Sequence, residues 1–325
     1  MKFLKRSLRV CLVLFLIFNI ILAFHAWKFT HFYDDTGHVN RRPEQMSAWE
    51  KTGLILFGVN LSKSSIRNWP EAPYKTIALH THDGLRIEGW WIAAQQPAKG
   101  TVILFHGYGS NKGAKLPEAM YFRGLGYNTF LVDFRAHGNS DGYTCSVGYK
   151  EAEEVKLAYD YVKSCGYRNI TLWGMSMGAA AVLKAVPEYK LQPERLILES
   201  PFATLTDAVK SRMWAVHLPG TPFAQMVTFW GGVEQGFWAA GFKPSLYAKE
   251  IHLPVLLCWG KTDIRVMEHE TRDIYTNLGS TQKQLVIFEA SGHQSFCRNE
   301  HDKWAAAINN FLQQQAARTT ISQEQ

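Results

Sequence analysis

Between Thr101 and Phe288 the chain sets down six short, predominantly apolar runs: Thr101–Phe105, Asn128–Val132, Ile170–Trp173, Leu196–Leu198, Val255–Trp259 and Leu285–Phe288. Apolarity that is continuous rather than alternating marks strands buried on both faces, the condition of a parallel sheet. Helical patterns lie between them. Ala152, Val155, Tyr159 and Val162 are spaced 3, 4 and 3, and Trp304, Ile308 and Phe311 are spaced 4 and 3. Ahead of the runs, Thr76–His80 and Leu85–Ala93 flank His82-Asp83-Gly84, and Asp-Gly between two strand-like stretches predicts a hairpin. A hairpin followed by strand–helix units predicts a doubly wound, mostly parallel α/β sheet. Residues 74–315 read as one domain, without internal repeat, and 316–325 as a polar, frayed tail.

One stretch departs from this rhythm. Residues 202–248 are longer than a single crossover helix requires and hold nine aromatic residues in the 46 from Phe202 to Tyr247. Pro219, Pro222, Gly231 and Gly232 divide them into short helices, which predicts an inserted helical cap. Trp214, Phe223, Phe229, Trp230, Phe237 and Trp238 then either pack on the sheet as core or cover the site. In the covering arrangement Trp230 and Trp238 are the expected acyl-binding side chains.

The amino terminus carries a different signal. Lys2, Lys5, Arg6 and Arg9 precede the run from Val10 to Trp27, which only Asn19 and His25 interrupt. Eighteen helical residues reach about 27 Å, close to the ~30 Å hydrocarbon core of a bilayer. Residues 1–27 therefore read as a transmembrane signal-anchor, with Trp27, Lys28, Phe29 and Tyr33 at the far interface. A cleaved signal peptide is the competing reading, but Leu22-Ala23-Phe24-His25-Ala26 offers a poor small-x-small site. The basic flank keeps residues 1–9 cytoplasmic and places the remainder on the periplasmic, lumenal or extracellular side. Residues 28–73, including Arg41, Arg42, Pro43 and the apolar Leu54–Phe57, read as a connector packed on the main domain. Those four basic residues also account for +4 of a formal charge of +7. The basic balance is thus a property of one end and argues against a nucleic-acid-binding face. The five cysteines, with no CxxC among them, read as free thiols.

Chemistry is concentrated at the carboxyl ends of the apolar runs. Gly174-Met175-Ser176-Met177-Gly178 directly follows Ile170–Trp173 and precedes the helix-forming Ala179–Lys184. In that strand–turn–helix context Gly-x-Ser-x-Gly predicts a nucleophile, Ser176, on a strained turn. A serine hydroxyl requires a base. Of twelve histidines, His293 in Ala290-Ser291-Gly292-His293 follows the last run, where a base belongs in the order Ser, acid, His. The acid is expected at Asp263, after Val255–Trp259, with Glu199 as the alternative; it fixes the imidazole tautomer. His106-Gly107-Tyr108-Gly109 follows Thr101–Phe105. The backbone N–H of Tyr108, with that of Met177, is the expected oxyanion pair. Asp133 and Asp141 are expected to hold the loop after their own strand. GxGxxG and GxxxxGK[ST] are absent, which disfavours a nucleotide site.

Through LFHGYGSNKG, FLVDFRAHGNSDG, LWGMSMG, ESPFAT, LLCWGKTDIRV and EASGHQSF the chain resembles the α/β-hydrolase superfamily, and within it the lipase, esterase and serine-aminopeptidase-like branch. These stretches cover most of 75–312 in the family's order. The resemblance implies the α/β-hydrolase fold with a helical cap insertion, here behind one transmembrane helix. It further implies a Ser176–His293–Asp263 triad that needs no metal or organic cofactor. The substrate stays open between an ester, thioester or amide, since one fold hosts many acyl substrates. A membrane-anchored ester hydrolase acting on a small-molecule or lipid acyl substrate is the leading expectation. A serine peptidase and a catalytically silent binding protein are the alternatives.

Overall fold

The six apolar runs form six parallel strands of one sheet. The computed structural model describes residues 2–34 and 46–323, so Arg41, Arg42 and Pro43 of the expected connector lie outside them. In chain order the elements begin with α1 (Lys2–Thr30), β1 (Phe32–Tyr33), α2 (Ala48–Phe57), β2 (Leu61–Ser62), β3 (Tyr74–His80) and β4 (Arg86–Ile92). Then come β5 (Thr101–Phe105), α3 (Leu116–Gly124), β6 (Asn128–Val132), α4 (Ala152–Ser164), β7 (Ile170–Met175), α5 (Met177–Glu188) and β8 (Arg195–Glu199). The chain continues through α6 (Leu205–Ala215), α7 (Phe223–Gln235), α8 (Pro244–Tyr247), β9 (Val255–Gly260), α9 (Glu268–Asn277), β10 (Lys283–Phe288), α10 (Phe296–Asn299) and α11 (His301–Gln323).

The eight-stranded sheet has the order β10-β9-β8-β7-β5-β6-β4-β3. All pairings are parallel except those of β4, which runs antiparallel to both β3 and β6. Every residue of β5, β6, β7, β8 and β9 is buried, as continuous apolarity predicts. Side chains alternate between the two faces. Ile103, Phe105 and Leu172 pack with Val155 and Val162 of α4 and Val182 of α5. Val102, Leu104 and Trp173 pack with Phe122 of α3 and with Trp304, Ile308 and Phe311 of α11. Two half-cores thus clamp the sheet, and its carboxyl edge is left for the site. The hairpin pairs Tyr74 with Ile92 and His80 with Arg86. The tail expected to fray is helical as far as Gln323, in keeping with the good helix propensity of its Gln, Ala and Arg residues. All five cysteines are free thiols.

The insertion after β8 supplies α6 and α7, which meet α1 rather than solvent. Leu22 and Ala26 of α1 are 7% and 1% exposed and pack with Val209, Ala224 and Val227 of the insertion. Amino-terminal to this contact α1 is bare, with Leu12, Leu14, Phe15 and Leu16 all exposed. It is the one helix among the described residues long and apolar enough to cross a membrane. Helix α2 begins at a capping box, in which the Glu50 N–H donates to Ser47 Oγ and the Ser47 N–H to the Glu50 carboxylate.

Candidate active site

Ser176 sits between β7 and α5 with φ 53° and ψ −116°, a backbone conformation that strains any residue with a Cβ. The turn closes because its flanking positions carry no side chain. A Cβ on Gly174 would lie 2.7 Å from the backbone of Gly178 and Ala179, and one on Gly178 would lie 2.4 Å from the Phe105 carbonyl. Hydrogen bonding from the Ser176 N–H to the Glu199 carbonyl, at 2.8 Å, ties the turn to β8.

His293 and Asp263, on the loops after β10 and β9, converge on it. His293 Nε2 lies 2.8 Å from Ser176 Oγ, and His293 Nδ1 lies 2.8 Å from Asp263 Oδ2. The other carboxylate oxygen of Asp263 accepts the N–H groups of Arg265 at 2.8 Å and Val266 at 3.0 Å. Burial alone would raise the Asp263 pKa. The neighbouring imidazole and these two donors outweigh burial and hold it below the ordinary carboxylate value. With Asp263 ionised, the tautomer that fits carries its proton on Nδ1 and offers Nε2 as the acceptor for the serine hydroxyl.

The alternative acid, Glu199, is elsewhere. Its Oε1 accepts the indole N–H groups of Trp173 at 3.1 Å and Trp304 at 2.7 Å, and its Oε2 has no hydrogen-bond partner. Burial, and then the nearby Glu118, push its pKa up to about 8. It is a neutral carboxyl inside the half-core, bonded to two indoles and not to His293.

The loop after β5 passes beside the nucleophile, where a Cβ on Gly107 would lie 3.4 Å from Ser176 Cβ. Two buried histidines brace it. His106 Nε2 accepts the Phe134 N–H at 3.1 Å, which leaves Nδ1 as donor to the Gly107 carbonyl at 2.8 Å. His137 Nε2 accepts the Gly109 N–H at 3.0 Å while its Nδ1 donates to the Arg135 carbonyl at 2.7 Å. Both roles require neutral rings. Burial lowers the His106 pKa well below its usual value and that of His137 to about 4. His137, by sequence merely a histidine in a polar turn, is therefore a brace of the candidate oxyanion loop. Its spacing from the strand end at Val132 was the available signal. Asp133 holds the same region, accepting the Lys112 N–H and, at 2.9 Å, the Asn139 N–H. Asp141 accepts the Arg86 N–H at 3.0 Å. Met177 opens α5, where a first-turn N–H has no partner within its own helix.

Tyr108 reaches outward from this loop to α1. Its hydroxyl donates to the Phe29 carbonyl, and its ring stacks on Phe29 at 4.9 Å between centroids. Phe29, expected at a membrane interface, is thus packed against the loop that borders Ser176. The Arg212 guanidinium lies over both rings, at 5.3 and 5.5 Å.

Ser176 and His293 open into a cavity of about 960 Å³. Its walls include Phe18, Ile21, Leu22 and His25 of α1, Leu54 and Ile55 of α2, and Val209, Met213, Phe223 and Val227 of the insertion. Arg212, Arg265, Arg298 and Lys115 also line it, and none of its described lining residues is a carboxylate. Of the six insertion aromatics, Phe223 alone reaches this cavity. Trp230 packs on α1, Phe237 stacks on Tyr149 at 4.0 Å, and Trp238 is 67% exposed, so the expectation that Trp230 and Trp238 hold the substrate is corrected. The apolar wall is shared among the amino-terminal helix α1, α2 and the aliphatic and Phe223 side chains of the insertion. Among the described residues His82, Asp83 and Glu153 lie close enough to share an ion, but Glu153 is already taken by His82 at 2.9 Å and Arg135 at 3.2 Å.

The family model described as "Serine aminopeptidase, S33" matches residues 96–229. The uncharacterized protein YqkD of Bacillus subtilis (strain 168) is 29% identical over 234 residues, 70% of this chain and 76% of that one. The lysophosphatidylserine lipase ABHD12 of Danio rerio is 26% identical over 140 residues, 40% of this chain and 36% of its own. Among solved structures, the Pyrococcus furiosus esterase Pf2001 superposes with a TM-score of 0.67 at 25% identity, covering 79% of this chain and 97% of that one.

Proposed function

From the premise that the chain belongs to the α/β-hydrolase superfamily, with the fold of its esterases and lipases, we propose that it is a membrane-anchored serine hydrolase of long-chain acyl esters. The supporting observation is the continuous relay from Asp263 through His293 to Ser176, 2.8 Å at each step, inside a cavity walled largely by apolar side chains. In this reading Ser176 Oγ attacks the ester carbonyl while His293 Nε2 takes its proton. The resulting oxyanion is held by the N–H groups of Tyr108 and Met177. Collapse expels the alkoxide, which leaves with the proton from His293. Water, deprotonated by the same nitrogen, then releases the acid from Ser176.

The lining argues for the ester over the peptide. An aminopeptidase must hold an α-ammonium group, and no described lining residue supplies a carboxylate for it. Arg298, which lines the same cavity, instead favours an acyl ester whose leaving group is negatively charged. A single-chain lipid of the kind named for the Danio rerio relative meets both demands. The test is labelling of the full chain with a fluorophosphonate. Wild type reacts and Ser176→Ala does not, with turnover lower by several orders of magnitude and the fold retained. Equal labelling of the two proteins excludes Ser176 as the nucleophile.

A further inference from the structure

We infer that α1 is a substrate-binding element as well as a tether, and that the cavity takes its acyl chain directly from the hydrocarbon of the bilayer. The inference rests on the ester-hydrolase reading. Phe18, Ile21, Leu22, His25 and Phe29 recur at spacings of 3, 1, 3 and 4, one side of a helix, and all five border the cavity that holds Ser176. A second side, Leu22 and Ala26, is buried on the insertion. A third, Ile20 at 68% exposure and Phe24 at 42%, faces outward. One stretch of helix therefore touches site, cap and surroundings together.

Helix geometry sets the depth. From Val10 to Ile17, the part of the apolar run bare on every side, is eight residues, or about 12 Å. That is less than half of a ~30 Å hydrocarbon core. A bilayer spanned by α1 must therefore extend alongside residues 18–27, the level of the cavity wall. The neighbouring surface is built for it. Phe229 and Val233 of α7, beside the Trp230 that reaches Asn19, are exposed, as are Leu56 and Phe57 of α2. The latter two adjoin Gly58, where a Cβ would lie 2.9 Å from the Lys28 side chain and 3.5 Å from the Phe24 ring. Exposed apolar side chains continuous with a spanning helix fit lipid chains, and the cavity borders this belt. Cleavage after Ala26 would remove the wall, so the structure favours a retained anchor.

The experiment uses the full chain in phosphatidylcholine vesicles. Ile21→Trp fills the cavity side of α1, and Ile20→Trp makes the same change on the outward side. The ratio of kcat/KM for a sixteen-carbon ester to that for an acetyl ester should fall about tenfold in Ile21→Trp, as expected when two methylenes lose their burial. It should hold in Ile20→Trp. Equal ratios in the two variants, with fluorophosphonate labelling intact, overturn the inference and leave the hydrolase reading standing. If Ser176→Ala labels as wild type, the hydrolase reading itself has failed. For depth, a phosphatidylcholine carrying a diazirine in mid-chain should crosslink to Phe229, Val233, Leu56 or Phe57. Crosslinks confined to residues 3–17 would show that the cavity lies outside the hydrocarbon.

Discussion

The Trp230 indole donates to Asn19 Oδ1 at 3.2 Å, while Asn19 Nδ2 donates to the Phe15 carbonyl of its own helix at 2.9 Å. The amide that interrupts the apolar run is thereby satisfied on both sides, and the insertion is pinned to α1. Interhelical hydrogen bonds in membrane proteins are worth about 0.6 kcal/mol on average and at most about 1.7. A double-mutant cycle of Trp230→Phe and Asn19→Leu, read by thermal unfolding in detergent, should give a coupling in that range. Strict additivity would mean that the pair contributes nothing to docking.

The two carboxylates that competed for the role of catalytic acid separate cleanly. Asp263→Asn should leave the protein folded and lower turnover by about 10⁴, since the amide favours the wrong imidazole tautomer. Glu199→Gln should cost far less activity, because its carboxyl faces Trp173 and Trp304. The reverse order of damage would overturn the assignment of Asp263.

Glu199 should instead be visible in stability. The folded chain holds its proton up to about pH 8, and the unfolded chain releases it near 4.5. Between those values the folded state binds more protons, so stability is fully present below the lower value and is lost as pH rises toward the upper. Glu199→Gln should flatten the fall in melting temperature between pH 5 and 8. An unchanged slope would show that Glu199 ionises in the fold near its usual value.

How much of this was legible from the chain alone follows from range. The strands, the strained turn at Ser176 and the positions of Asp263 and His293 are written in local patterns, because each motif abuts the strand that presents it. The role of α1 is not local. Nothing between Val10 and Trp27 distinguishes an idle anchor from a cavity wall, and what decides is the insertion two hundred residues later, which folds onto it. Asn19 and His25 were the readable hints, two polar residues kept inside an apolar run, one bonded to Trp230 and the other lining the cavity. The aromatic insertion misled for the same reason: Trp and Phe content reports burial without naming the partner.

His137 offers a test of the oxyanion loop apart from the reacting residues. Its ring is neutral because burial lowers its pKa to about 4, and Nε2 accepts the Gly109 N–H. His137→Phe keeps the bulk and removes the acceptor, so Gly109 and the adjoining Tyr108 N–H lose their fix. Displacements on the order of 1 Å can lower turnover by up to about 100-fold. A fall in kcat with little change in KM is expected. A variant with wild-type kcat would show that the loop is set by His106 and Asp133 alone.

The cationic lining should select among leaving groups. Arg298 lies on α10, five residues after His293, and borders the cavity alongside Arg212 and Arg265. A charge at the mouth of a partly desolvated site discriminates between leaving groups more than it changes the chemistry at the carbonyl, because an unmatched or like charge there remains uncompensated. Wild type should therefore hydrolyse a lysolipid of net negative charge faster than one with a zwitterionic headgroup and the same acyl chain. Arg298→Gln should narrow that difference by several-fold while its rate on a neutral monoacylglycerol stays comparatively steady. The preference should also weaken as salt is raised from 50 to 500 mM, since screening acts on exposed charges first. Were the two lysolipids cleaved equally well by wild type, Arg298 would have to be assigned to holding the wall of the cavity, and the leaving group would be selected by shape alone.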